Sequence, residues 1–126
     1  MNNLLLYLVL LAAAPASAAS AGTDLLAGYR AEAARPFSAA QGERLFRARN
    51  GDKACTACHT EDAKAVGKHA VTGKPIEPLA PVANPARLSD QAKVEKWFRR
   101  NCNDVLKRAC NAQEKGDFVT YLLSLK

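Results

Sequence analysis

The sequence predicts an all-α domain, and three observations carry that expectation. Apolar residues recur at helical spacing in four segments, capping signatures stand ahead of them, and no segment alternates apolar and polar residues as a half-buried strand does. A chain of 126 residues has room for one domain and not two, and a hydrophobic share of 48% is enough for a globular core.

Part of that share is not core. Leu4 to Ala14 is an almost unbroken apolar run, followed by Pro15 and by Ala16-Ser17-Ala18, the A-x-A pattern that signal peptidase reads. The run is far short of the ~20 residues that a membrane-spanning helix needs. Residues 1–18 therefore read as a cleaved secretory signal and residues 19–126 as the mature domain, with Ala19-Ser20-Ala21 as a second cut and an uncleaved anchor as the alternative. Export places the domain in the periplasm, an oxidising compartment. The signal contains no Lys, Arg, Asp or Glu, so the domain keeps the whole net charge of +6. That charge suits acidic partners; nucleic acid is not expected outside the cytoplasm, and the domain is expected to be a monomer. A domain this small gains from a covalent staple or a cofactor.

The helices follow in order. Thr23 reads as the cap of a first one, with Leu25, Leu26, Tyr29 and Ala33 at helical spacing and Arg35-Pro36 as its end. Ser38 and Gln41 form a capping-box signature for a second, which presents Leu45 and Phe46 and runs to about Arg49, where Asn50-Gly51-Asp52 breaks it. Thr72 to Pro85 holds four prolines and no periodicity, and reads as a semi-rigid loop. Ser89 or Asp90 caps a third helix with Val94, Trp97 and Phe98 at i, i+3 and i+4. Asn111 with Glu114 caps the last, which carries Phe118, Val119, Tyr121, Leu122 and Leu125.

Cys55-Thr56-Ala57-Cys58-His59 is the C-x-x-C-H signature of c-type haem attachment. Two thiols three positions apart reach the two vinyl groups on one porphyrin edge, and the adjacent imidazole reaches the iron from the same face. A redox-active C-x-x-C would want a βαβ context, and a four-cysteine zinc site a second close pair, whereas Cys102 and Cys110 stand eight positions apart. The expectation is one covalent haem c, held by Cys55, Cys58 and His59.

The opposite side of the iron is open to several readings. The only methionine is Met1, which leaves with the signal, so the mature domain has no His/Met pair. His69, a Lys, an Asn, water or nothing remains. His69 is close enough along the chain to reach round a haem edge, but its neighbours read as surface loop. Asn101 falls on the helical face of Val94, Trp97 and Phe98, where an amide costs free energy unless something satisfies it. Spacing alone favours an Asn that caps the helix end or bonds a backbone group. Lys93, Lys96 and Arg100 lie on the other face and read as a solvated surface.

Cys102 and Cys110 are left over, and a disulfide is the default for an exported chain. Eight residues of unbroken helix would hold their α-carbons ~12 Å apart, against the ~7 Å that the bond tolerates. The helix must therefore break between them, and the Asn111 capping signature supplies the break.

Gly42 and Phe46, one turn apart, with Tyr121 in the last helix, resemble the crossing of class I c-type cytochromes, in which a glycine lets the terminal helix pass closely. A more specific resemblance runs from Leu25-Leu26-Ala27-Gly28-Tyr29 to the C-terminus. Cys55 to His59, Thr72-Gly73-Lys74, Ile76, Pro78-Leu79-Ala80-Pro81, Arg87, Val94-Glu95-Lys96-Trp97 and Arg100-Asn101-Cys102-Asn103 are similar to the sphaeroides haem protein (SHP) family of oxygen-binding c-type cytochromes. The resemblance implies a class I cytochrome c fold with an extra N-terminal helix. It implies Asn101 as the sixth iron ligand in the oxidised state, leaving on reduction so that a diatomic ligand such as oxygen or nitric oxide can bind, with Trp97 as a further haem contact and a disulfide beside the haem. It further implies a dihaem c-type cytochrome and a membrane cytochrome b as electron donors. Two other functions stay open: a plain electron carrier with closed coordination, and a haem enzyme that oxidises nitric oxide. His69 departs from the family pattern.

Overall fold

The computed structural model describes residues 18–126, so the apolar run of the expected signal lies outside the described residues. Helix α1 covers Ala18–Arg30 and starts ahead of Thr23, the expected cap. The stretch before Thr23 is rich in alanine, the strongest helix former, and simply continues the helix backwards. Helix α2 covers Ala39–Phe46, with the Ser38 hydroxyl accepting from the Gln41 amide at 3.3 Å.

α2 ends earlier than expected, because the following residues turn back on themselves. Arg49–Asn50 (β1) pairs antiparallel with Lys53–Ala54 (β2), and Gly51 takes the positive φ of 62° that the turn needs. The hairpin delivers the chain into α3, Cys55–His59. A second hairpin pairs Gly67–Lys68 (β3) with Pro75–Ile76 (β4), inside the stretch expected to be loop. Both hairpins correct the expectation of no strand, but each strand has two residues and serves as a connector. The all-α class stands.

Helix α4, Gln91–Leu106, starts at Asp90, whose carboxylate accepts from the Lys93 amide at 3.0 Å. It stops at Lys107, which is left-handed with φ of 59°. Helix α5, Ala112–Ser124, opens on the anticipated capping box: Asn111 accepts from the Glu114 amide and Glu114 from the Asn111 amide. Among the described residues no helix is long and apolar enough to cross a membrane.

α5 packs against both α1 and α2. Its crossing with α2 turns on Gly42, where an added Cβ would lie 2.0 Å from the Asp117 carbonyl oxygen and 2.7 Å from the Tyr121 Cβ. Only glycine lets the two backbones meet there. Two apolar clusters result. Leu25, Tyr29, Leu88, Val94 and Val119 join α1, α4 and α5; Phe46, Ala63, Tyr121 and Leu122 lie between α2, α5 and the segment after α3. Phe46 is fully buried, which contributes about 2 kcal/mol or more.

The carboxylates inside these contacts are paired, as burial requires. The Asp117 carboxylate accepts from Arg35 (3.0 Å), the Ser38 amide (2.8 Å) and Gln113 (2.9 Å), and so ties the start of α2 to α5. Tyr29 donates to Glu95 at 2.5 Å and Lys115 donates to the same carboxylate at 2.6 Å, linking α1, α4 and α5.

Candidate functional site

α3 is one turn long, which puts Cys55, Cys58 and His59 within a single helical turn, and both cysteines are free thiols. Cys55 packs against the cluster of Phe46, Ala63, Tyr121 and Leu122. Burial pushes its thiol pKa up, with the nearby Cys58 adding to the rise and a backbone hydrogen bond opposing it. The turn ends abruptly. Thr60 takes φ of 62°, a region that β-branched residues avoid, and swings the chain away directly after His59. Its hydroxyl accepts from the Asp62 amide at 3.2 Å and donates to the Asp62 carbonyl at 3.1 Å, which holds the strained turn.

The segments behind α3 fit it closely. An added Cβ at Gly67 would lie 2.2 Å from the Cys58 carbonyl oxygen and 3.1 Å from the His59 Cα, so β3 presses directly on the attachment turn. The Ala63 carbonyl accepts from the Leu79 amide (3.0 Å) and the Ala80 amide (2.9 Å), which brings the Pro-rich loop against the same segment. That loop is pinned by Arg87, which donates from Nε to the Pro78 carbonyl at 2.8 Å and from its terminal nitrogen to the Glu77 carbonyl, while Asn84 also donates to Pro78 at 3.3 Å.

His59 sits between these walls. Its Nδ1 is buried and has no hydrogen-bond partner in the protein. Burial pushes its pKa down to about 4, and the Arg87 guanidinium pushes in the same direction. The imidazole is therefore neutral at ordinary pH, the form that binds a metal.

The remaining expected site residues lie on α4, which packs against the β1–β2 hairpin leading into Cys55. Trp97 is exposed to 43% of its surface, the Arg100 guanidinium standing 5.6 Å from its ring centre. Asn101, one turn on, is exposed, while the next residue, Cys102, is buried. The Cys102 and Cys110 sulfurs lie at disulfide distance, with Cα atoms 5.6 Å apart across the break between α4 and α5. His69 sits in the exposed turn joining β3 to β4, and its Nδ1 accepts from the Val71 (3.3 Å) and Thr72 (3.1 Å) amides. Sequence reasoning gave no role to Gly67 or Thr60, and Arg87, just past the Pro-rich loop, entered only as part of the family resemblance.

The family model of a domain of unknown function, DUF1924, matches residues 32–122. The cytochrome c-type protein SHP of Cereibacter sphaeroides is 40% identical over 97% of this chain and 98% of its own length. The chain belongs to the SHP family of c-type cytochromes. The structure of oxidised SHP, an oxygen-binding cytochrome c, superposes with a TM-score of 0.77 at 42% identity, covering 82% of this chain and 96% of that one. Oxidised cytochrome c'' of Methylophilus methylotrophus superposes with a TM-score of 0.73 at 36% identity, covering 85% and 96%. A second structure of that cytochrome, in solution, bears on haem-ligand detachment and superposes at 0.70 with 37% identity, covering 84% and 94%. Like its relatives, this SHP-family chain carries one covalent haem c. The residues present fit that group: two free thiols and a neutral imidazole share one helical turn.

Proposed function

We propose that the chain is a periplasmic electron-accepting cytochrome that binds a diatomic ligand, oxygen or nitric oxide, once Asn101 has withdrawn from the sixth coordination position. Cys55 and Cys58 would hold the haem covalently and His59 would ligate its iron. When bound, the haem supplies a one-electron redox centre and a coordination position that can be exchanged.

The observation that carries the reading is that Cys55, Cys58 and His59 share one helical turn while α4, which bears Trp97 and Asn101, packs against the β1–β2 hairpin leading into Cys55. A carboxamide oxygen is a hard, weak donor that suits ferric iron better than ferrous iron, so reduction favours its release. The amide N–H of Asn101 remains available to donate a hydrogen bond to an incoming ligand. Cys102 and Cys110, joined as a disulfide, limit how far Asn101 travels. The relatives support the reading: one is an oxygen-binding cytochrome and another bears on ligand detachment. An acidic dihaem c-type cytochrome, with a membrane cytochrome b behind it, is the electron source the family resemblance implies; the net charge of +6 supports such docking.

Asn101→Ala tests it. The ferric absorption spectrum should change as water replaces the amide, and the dithionite-reduced protein should still shift its Soret band with carbon monoxide. An unchanged ferric spectrum in Asn101→Ala, together with a changed one in His69→Ala, would assign the position to His69. No carbon monoxide shift in the wild type would leave a closed electron carrier.

A further inference from the structure

We propose that the outer face of α4 is a docking surface for an acidic protein, the electron donor of the proposed function. The inference rests on the reading of the chain as an electron-accepting cytochrome and adds to it the face that meets the donor.

The face follows from helical spacing. Lys93, Lys96, Arg100, Asn103 and Lys107 recur at steps of three and four and so form one stripe, about 20 Å long, with Arg99 at its edge. All six are exposed, while Val94, Cys102 and Val105 bury the other side of the helix. Arg99, Arg100 and Asn103, with Asp104 and Ala109, line a shallow cleft at the C-terminal end of the stripe. Two guanidinium forks against one carboxylate leave that cleft positive and suited to a planar carboxylate. Trp97 and Asn101 lie between the stripe and the buried side, so a partner seated on the stripe stands beside them.

The charges of the stripe do not serve the fold. Arg35, Arg47, Arg108 and Lys115 each have a carboxylate partner, whereas among the described residues no carboxylate stands within salt-bridge reach of Lys93, Lys96, Arg99 or Arg100. Glu95, the acidic residue among them, is held by Tyr29 and Lys115, and Arg99 acts on it only at longer range. Lys93 sits in the first turn of α4 and Asp104 in the last, each the wrong sign for the helix dipole. The other helices follow the dipole: α1 and α2 carry Arg30 and Arg44 in their last turns, and α5 carries Glu114 in its first. Lys96 also repels Lys93, Arg99 and Arg100 from three and four positions away. A helix that tolerates such repulsion along one exposed stripe is matched to a surface of opposite sign. A membrane surface would call for an apolar row beside the cations, but Val94 and Val105 are buried in the core.

The test titrates isotope-labelled, haem-bearing protein with an oxidised plant-type ferredoxin, an acidic redox protein, and reads amide shifts and Kd at low and high ionic strength. Wild-type binding should weaken about tenfold or more as salt rises, with the shifts gathered on α4. Lys96→Glu with Arg99→Glu should raise Kd about tenfold or more at low salt. Lys68→Glu with Lys74→Glu, an equal change of charge on the exposed β3–β4 hairpin, should raise it less than about threefold. Equal losses in the two pairs, or shifts gathered off α4, overturn the proposal, because net charge and not this face would then carry binding. Wild type that ignores the ferredoxin overturns it too, including wild type that binds only vesicles rich in phosphatidylglycerol. If the charge-reversed protein does not accumulate, Lys96→Gln with Arg99→Gln replaces it, and an unchanged Kd there is equally fatal. Ferredoxin that binds through α4 yet, once photoreduced, leaves the haem ferric overturns the electron-accepting reading and keeps the docking face.

Discussion

The segment around His59 and the second half of α4 are restrained in opposite ways. Behind His59, the β3 backbone, the Ala63 carbonyl and the Arg87 fork converge within one short stretch of chain. On α4, the first half is tied down through Glu95 to Tyr29 and Lys115, and the helix end is held by the buried Val105 and by Cys102, which stands at disulfide distance from Cys110. On the proposed reading, the fixed ligand is His59 on α3, packed from several sides, and the ligand that leaves is Asn101 on the separate helix α4, so the two roles fall on different elements.

The largest expected effect comes from breaking the rigid side. Gly67→Val places a branched side chain where the Cys58 carbonyl already stands, which should cost about 3 kcal/mol or more and sharply lower the yield of protein with covalent haem, read by thermal melting and haem stain. A variant that melts with wild type would show that β3 gives way and that the two sides are not as different as described. Next comes the staple at the end of α4. Cys102→Ser with Cys110→Ser should cost about 2 to 3 kcal/mol, by opening a short loop. The paired ferric spectrum should then show a mixture, because the helix end carrying Asn101 is no longer held. The smallest effect sharpens the contrast within α4 itself. Lys115→Met removes one bond to Glu95 and should cost about 1 kcal/mol, discounted because both side chains are partly exposed.

That last variant also carries a pH signature. Burial pushes the Glu95 carboxyl up, but the hydrogen bonds from Lys115 and Tyr29 outweigh it and hold the pKa below its usual 4.5. A depressed carboxylate adds stability that is present above about 4.5 and lost as pH falls through the lower folded value. Denaturation melts of Lys115→Met between about pH 5 and pH 3 should therefore fall less steeply than wild type. An equal slope would mean that Glu95 draws its stabilisation from elsewhere.

Much of this was legible in the chain. C-x-x-C-H is a local motif, set by the spacing of two thiols and an imidazole, and needs no tertiary knowledge. The Asn111 and Glu114 cap was legible because capping is written in adjacent residues, and it placed the break that Cys102 and Cys110 require. Gly42 announced its crossing through its distance of one turn from Phe46. What escaped reading is non-local or too short to have a period. A two-residue strand cannot alternate, so both hairpins were invisible; Gly51 was legible as a break and not as the turn of a pairing. Arg87 bonds only backbone carbonyls, which carry no sequence identity, so nothing in the chain names its partners. Asp117 and Gln113, polar residues four apart on a mostly apolar helix, were the overlooked sign of the buried lock on Ser38.

The crossing at Gly42 has a consequence for how the molecule is assembled. α2 and α5 stand near opposite ends of the described chain, and everything between them, including the attachment turn, the Pro-rich loop and α4, is a single long excursion closed by that one meeting of backbones. Until α5 docks, Phe46 has neither Tyr121 nor Leu122 to pack on, and Cys55 faces a half-built wall. Closing so long a loop is entropically slow, and its reward arrives only when contacts distant in sequence form together. The last helix thus completes the wall behind the attachment turn: Phe46, Tyr121 and Leu122 come together, and Cys55 packs against them, only with α5 in place.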